Sequence, residues 1–470
     1  MPVSLPKRLR ATIELLEEIA ADWRLLDQLP AEERQRLHEA VARLYNPDPV
    51  VRRRRMKAEE RARKAASTQR EEAVLQKTGI RELRRKPVFT TPNVFPPRGF
   101  LPRDVHADEP QLPQAGAPRH CYACKQKYSV VHHFYDQLCP ACAELNFRKR
   151  TELADLRGRV ALLTGGRVKI GYQAGLKLLR AGARLIVTTR FPRDSAARYA
   201  KEPDFGEWGS RLEIYGLDLR HTPSVEAFCR QLLETHARLD FIINNACQTV
   251  RRPPDFYAHM MAGERAALAG PAQGLLGLPI REIQGVKRAA ELSQVPLLPE
   301  EFTVQKHLFP AGRLDQDLQQ VDLRGRNSWR LLLAEVPAVE LLEVQLVNAV
   351  APFILNARLK PLMLRSPERD KHIVNVSAVE GQFYRNFKTT RHPHTNMAKA
   401  ALNMMTRTSA ADYHHDGIHM NSIDTGWVTD EDPAEIAARK TVEHRFHPPL
   451  DIVDGAARIL DPIIDGANRG

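Results

Sequence analysis

From Leu156 onward the sequence alternates short apolar runs with longer segments of helical period, and that rhythm admits few folds. The runs are Val160 to Thr164, Arg184 to Thr188, Leu212 to Leu217, Phe241 to Asn244, His372 to Ser377 and Ile418 to Ile423. Each has the length of a strand buried on both faces. Gly182 stops the first intervening helix, Thr222-Pro223 opens another, and Gly417 stops the one before the sixth run. Strands alternating with helices predict an α/β fold, a doubly wound parallel sheet with helices on both faces. Residues 248–340 break the rhythm. A crossover needs on the order of a dozen residues, yet 100 positions lie between Cys247 and Asn348. The surplus is a large insertion emerging beside the carboxyl ends of the strands, where open sheets bind ligands, so it is expected to cover or shape a site.

The first run breaks into Thr164-Gly165-Gly166-Arg167-Val168-Lys169-Ile170-Gly171, which opens a helical-period segment from Tyr172 to Ala181. A strand feeding a glycine-rich turn and a helix reads as a Rossmann-like dinucleotide site. Glycines let the backbone approach a pyrophosphate, and the helix start presents free N–H groups and partial positive charge. Lys169 stands where such a turn usually has glycine. Either it clamps a phosphate or it obstructs the pocket; retention of Gly165, Gly166 and Gly171 favours the clamp.

Upstream, Cys121-x2-Cys124 and Cys139-x2-Cys142 form two knuckles fourteen residues apart. That spacing lets four thiolates converge on one zinc, and with all four ligands from protein the site would be closed and structural. His132 and His133 between the knuckles could substitute as ligands, with solvent-facing positions their ordinary reading, and Cys229 and Cys247 are read as small core residues. The module spans 120–150. Before it, residues 1–86 are helical and basic: Ile13, Leu16, Ile19, Trp23 and Leu26 mark one helix, Leu37, Val41 and Leu44 a second, and a basic helix runs from about Val51 to Lys86. Most of the net charge of +13 sits here, with 15 Lys/Arg against 5 Asp/Glu in residues 51–100. Contact with an acidic protein or nucleic-acid partner is one reading of 51–86. A solvated helix with i,i+4 pairing is the other. Eight prolines between Pro87 and Pro118 make 87–119 an extended linker. No stretch reaches 18 uninterrupted apolar residues and the N-terminus has no secretory pattern, so no membrane span is expected and a cytoplasmic location is.

Residues 156–470 resemble the short-chain dehydrogenase/reductase superfamily. Thr164 to Gly171 is similar to its TGxxxGxG turn, Asp218-Leu219 to its adenine-holding pair, and Asn244-Asn245-Ala246-Cys247 to its NNAG strand. Val347-Asn348 resembles the helix asparagine that anchors a relay water. Ile373 to Gly381 resembles the serine strand, Thr395-Asn396-Met397-Ala398-Lys399 the YxxxK helix, and Asp424-Thr425-Gly426 the PG loop beside the nicotinamide. The resemblance implies hydride transfer between a nicotinamide cofactor and a carbonyl, alcohol or activated double bond of a small-molecule substrate. Arg190, just past the second strand, with no acid there, implies NADP over NAD, and Arg167 and Lys169 add charge at the phosphates. The cofactor-binding set is then Thr164, Gly165, Gly166, Arg167, Lys169, Ile170, Gly171, Arg190, Asp218, Leu219, Asn244, Asn245, Ala246 and Lys399. The resemblance also implies a homo-oligomer, although the seventh strand that supports the usual tetramer has no counterpart after Ala456 to Ile464.

The catalytic set departs from the family. Thr395 stands at the tyrosine position and Ala378 at the serine position, while Lys399 and Asn348 are retained. A threonine hydroxyl is a poor proton source near neutral pH, and Ser377, one residue early, should face away from the pocket. Tyr384, on the loop after the serine strand, is the substitute donor expected here, beside Lys399 and Asn348. His392 and His394 flank the helix start, with surface positions their ordinary reading. A second reading is a catalytically silent NADP-binding sensor or scaffold, whose basic helix and zinc module bind a partner or nucleic acid. A nucleic-acid-binding protein that merely reuses the fold is a third.

Overall fold

The computed structural model describes residues 4–45, 49–85, 118–277, 288–314, 320–384 and 388–469. Most of the expected proline-rich linker lies outside them. The chain divides into two compact units, Met1–Ala73 and Val74–Gly470.

In the first unit, helix Leu5–Ala21 ends where Asp22 accepts the Arg24 N–H at 3.1 Å and starts the short 3-10 helix Trp23–Gln28. Helices Ala31–Tyr45 and Pro49–Leu75 follow. Of the expected apolar stripe only Leu26 is buried, while Ile13 and Trp23 remain exposed.

The second unit begins with the last turn of the basic helix. Leu75 packs on Val131, and the Gly79 and Ile80 N–H groups donate to the His133 and Phe134 carbonyls at 3.0 and 2.9 Å. This segment therefore belongs structurally to the cysteine module. That module holds a small antiparallel pair, β1 (Arg119–His120) and β2 (Lys127–Tyr128), and helix Pro140–Thr151.

The sheet comprises β3 (Val160–Thr164), β4 (Arg184–Thr189), β5 (Leu212–Gly216), β6 (Phe241–Asn244), β7 (Lys371–Ser377) and β8 (Ile418–Asp424), each within a residue of its expected bounds at either end. The strands are parallel in the order β5-β4-β3-β6-β7-β8, so the order reverses beside β3 and opens a crevice at the strands' carboxyl ends. Period-2 alternation along β3 sends Ala161 and Leu163 to one face and Val160 and Leu162 to the other. The first face is covered by helices Lys169–Arg180, Pro192–Tyr199 and Ile452–Arg469. The second is covered by Thr222–Thr235, Ala351–Met363 and Pro393–His415. The span Ala338–Met363 is long and apolar enough to cross a membrane by length and composition alone; here Ala351, Leu355, Leu359 and Leu362 lie in the sheet core.

The insertion is built mostly from single helical turns. Its apolar centre is Phe256, Tyr257, Met261 and Phe309 packed on Phe191. Buried ion pairs fasten the rest, Arg251 to Glu301 and Glu343, Arg252 to Asp322, and Arg330 to Asp432. Leu276 bridges to Ile214 of β5, and the Gly277 N–H donates to the Ile214 carbonyl at 2.9 Å, so the insertion also covers the sheet's β5 edge.

Candidate functional site

One cavity of about 1520 Å³ lies across the carboxyl ends of the strands. It is larger than the roughly 300–1,000 Å³ usual for a single small ligand. Thirteen Lys and Arg against seven Asp and Glu line it, a balance that favours an anionic occupant.

Its floor is the glycine turn. Gly165 has φ 70°, and a Cβ on Gly171 would stand 2.2 Å from the Gly165 carbonyl oxygen, so glycine is required there. The Asn245 amide donates to the Thr164 and Gly165 carbonyls at 3.1 and 3.2 Å, and the Thr164 hydroxyl accepts the Ala246 N–H at 3.0 Å, joining the ends of β3 and β6. Helix Lys169–Arg180 then starts without a side-chain cap from Val168, which leaves its first-turn N–H groups available to a ligand. Lys169, its first residue, takes a left-handed φ of 53° and lines the cavity. Burial would raise the Glu431 carboxyl, but the charges of Lys169 and Arg252 hold it below the usual range. Ile170 lines the cavity as well and packs against the core shared with the cysteine module.

At the far end Arg190 lines the cavity, donates to the Tyr257 hydroxyl at 2.6 Å and lies over its ring. It has no carboxylate at ion-pair distance among the described residues. Arg167 differs: Asp194 pairs with it at 2.8 Å and with Arg198 at 2.7 Å, so its charge is already compensated. The Asp218 carboxylate is likewise forked by Arg220, whose other nitrogen reaches Glu343 at 2.8 Å. Leu219 lines the wall beside it.

Asn244, expected at the cofactor, and Asn348, expected to anchor a relay water, both make hydrogen bonds within the protein. The Asn244 amide is buried and donates to Asn356 and Asn375, both at 2.8 Å, and Asn375 in turn donates to Thr406 at 2.9 Å. Successive strand residues face opposite sides, so Asn245 meets the turn while Asn244 locks the layer beneath. Asn348 lies in a π-helical turn, Leu346–Val350, and both side-chain polar atoms are taken by the Gln248 backbone at 3.0 Å. It fixes the first residue of the insertion.

At the YxxxK-like helix, Lys399 lines the cavity, is 3% exposed, and donates to the Val376 carbonyl at 2.7 Å. Thr395 and Ala378 line the same wall. The Thr395 and Ser377 hydroxyl oxygens are buried and lack hydrogen-bond partners among the described residues. Tyr384 does not join them: it is 99% exposed and outside the cavity lining, on a loop that carries its phenol into solvent. The two histidines expected at the surface are buried. His392, at φ 43°, stacks on Trp329 at 3.8 Å, and burial pushes its pKa down. His394 lies 3.3 Å from Glu340.

The four module cysteines converge, with all four sulfurs within 4.8 Å of one another. A Zn–S distance of about 2.3 Å separates tetrahedral sulfurs by about 3.8 Å, so the cluster fits that ion. Burial would raise the Cys121 thiol, but backbone donors of Cys139, Cys124 and Ala123 outweigh it and bring the pKa to about 7. His132 and His133 are buried against Phe147, outside the sulfur cluster, and burial pushes His132 down to about 4. Cys229 is a core residue, whereas Cys247 is exposed at the cavity wall.

The spacing rules do not reach Tyr122, Ala123 and Lys125. They sit in the first cysteine knuckle and also line the cavity, where the Tyr122 hydroxyl accepts the Trp427 N–H at 2.9 Å. Only the aromatic inside the knuckle sets this pair of cysteines apart in sequence.

Comparison with known proteins agrees with this geometry. Residues 159–260 match the short chain dehydrogenase family model, and 328–449 match the model described as enoyl-(acyl carrier protein) reductase. An uncharacterized protein of Acanthamoeba polyphaga mimivirus is 32% identical over 356 residues, covering 73% of this chain and 71% of that protein. Dehydrogenase/reductase SDR family member 13 of Bos taurus is 37% identical over 106 residues, 22% of this chain and 28% of that protein. Among solved structures, the Pseudomonas aeruginosa RhlG/NADP active-site complex aligns over 65% of this chain and 90% of that chain, at 20% identity and TM-score 0.41. The glycine turn, the strand order and the two family matches, which leave 261–327 between them unmatched, together make the region 159–449 similar to the short-chain dehydrogenase/reductase superfamily.

Proposed function

We propose that this chain binds NADP(H) and acts as a short-chain-type oxidoreductase on a carbonyl, alcohol or activated double bond, with a structural zinc at Cys121, Cys124, Cys139 and Cys142. One observation carries the reading: a single basic cavity joins the glycine turn, the carboxylate-free Arg190 and the buried Lys399. A side chain at 171 would strike the Gly165 carbonyl and the Asn245 amide, so glycine there lets the helix start pack closely on the turn, as a pyrophosphate-binding turn requires. A nicotinamide, when bound, supplies or accepts the hydride. Arg190 holds the 2'-phosphate, Lys169 and the uncapped helix start hold the phosphates, and Lys399 holds the ribose. The insertion excludes water above them.

The test has two arms. NADPH binding is titrated by nicotinamide fluorescence, and its oxidation is followed by absorbance across a panel of aldehydes, ketones and enones. Binding with turnover is expected. Tight binding with no turnover would favour the silent sensor, a reading supported by Thr395 and Ala378 and by the exposed position of Tyr384. Failure to bind NADPH or NADH overturns both.

A further inference from the structure

We propose that the first cysteine knuckle is a wall of the nucleotide site, so that metal occupancy at the four cysteines sets the cavity's affinity for nucleotide. The proposal rests on the NADP(H) reading above. A structural zinc module would ordinarily be remote from the ligand, yet Tyr122, Ala123 and Lys125, interleaved with Cys121 and Cys124, line the cavity.

Two contacts carry the coupling. The Tyr122 hydroxyl accepts the Trp427 N–H at 2.9 Å, on the loop that follows β8. Tyr122 and Cys121 also share an apolar core with Val428, Leu450 and Ile170, and Ile170 belongs to the first turn of the glycine-turn helix. The knuckle thus supports both the β8 loop and the phosphate end. Arg84 reinforces the loop by donating to the Val428 carbonyl at 2.6 Å and to the Leu450 carbonyl at 2.5 Å.

The backbone points the same way. Lys125 follows the second cysteine at φ 64°, in the left-handed region where glycine sits freely and other residues are strained. Its ammonium folds over the Tyr122 ring at 5.0 Å and donates to the Tyr122 carbonyl. Keeping a strained lysine on a cavity wall is consistent with a ligand-facing role for its charge. The metal is what ties the two knuckles to each other, and its removal takes away that tie. The knuckle then opens, and Tyr122 and Lys125 move with it.

The test uses the full chain. NADPH affinity is measured on zinc-loaded protein, after chelation, and after zinc is restored, with circular dichroism recorded alongside. Lys125→Gly and Tyr122→Phe are measured at full zinc content. Chelation should weaken NADPH binding about tenfold or more, reversibly, and Lys125→Gly should weaken it about tenfold with zinc retained. If chelation unfolds the protein, the two variants decide: unchanged affinity in both overturns the proposal. Affinity that ignores both zinc and Lys125 overturns it while leaving nucleotide binding intact. Zinc-loaded wild type that binds no NADPH overturns it together with the reading it rests on.

Discussion

The Arg190 guanidinium donates to the Tyr257 hydroxyl at 2.6 Å, so a residue of the insertion orients the cation expected to meet the 2'-phosphate. Arg190→Ala should reduce the ratio of NADPH to NADH affinity by about tenfold or more, the scale of one charge-assisted hydrogen bond. Tyr257→Phe should reduce it less. Paired titrations with the two nucleotides check this, and an unchanged ratio in Arg190→Ala would remove Arg190 from the site.

Gly171→Ala should abolish nucleotide binding. The added Cβ meets the Gly165 carbonyl at 2.2 Å and the Asn245 amide at 2.4 Å, both held by the β3–β6 junction. The expected cost is about 3 kcal/mol of stability, read by urea unfolding. Gly206→Ala, with open space around its added Cβ, is the control.

Lys399→Ala should lose most nucleotide affinity, because it removes a cation from a buried cavity wall. Tyr384→Phe should change neither affinity nor turnover, since its phenol is in solvent. A turnover defect in Tyr384→Phe at unchanged stability would show that its loop folds inward during the reaction.

Asp194 ties Arg167 to Arg198. Burial opposes its ionisation, but the two arginines prevail and lower its pKa from 3.8 to about 2. The folded value lies below the unfolded one, so this stabilisation is full above about pH 4 and fades as pH falls toward 2. It is worth about 2 kcal/mol at neutral pH. Asp194→Asn should destabilise by at least that amount at pH 7 in urea unfolding. The gap from wild type should shrink as pH drops below about 4.

The six strands are legible because each is a short apolar run, a local property of the chain. The cysteine cluster was legible for the same reason, since its spacing is its geometry. The insertion was not, because its order comes from pairs such as Arg251 with Glu301 and Arg330 with Asp432, separated by tens of residues. Sequence does not show which way an asparagine turns: the Asn244 amide nitrogen donates to Asn356 and Asn375, and Asn348 pairs with the Gln248 backbone. The burial of His132, His133, His392 and His394 is not legible in the sequence, because no pattern marks an imidazole packed against Phe147 or Trp329.

Four non-glycine residues adopt left-handed backbone among the described residues, and Lys125, Lys169 and His392 of these line one cavity. Each carries roughly 1 kcal/mol of strain that glycine would relieve. Directed evolution for heat resistance should therefore converge on glycine at 125 and 169, and the hardiest clones should be the ones that hold nucleotide least well.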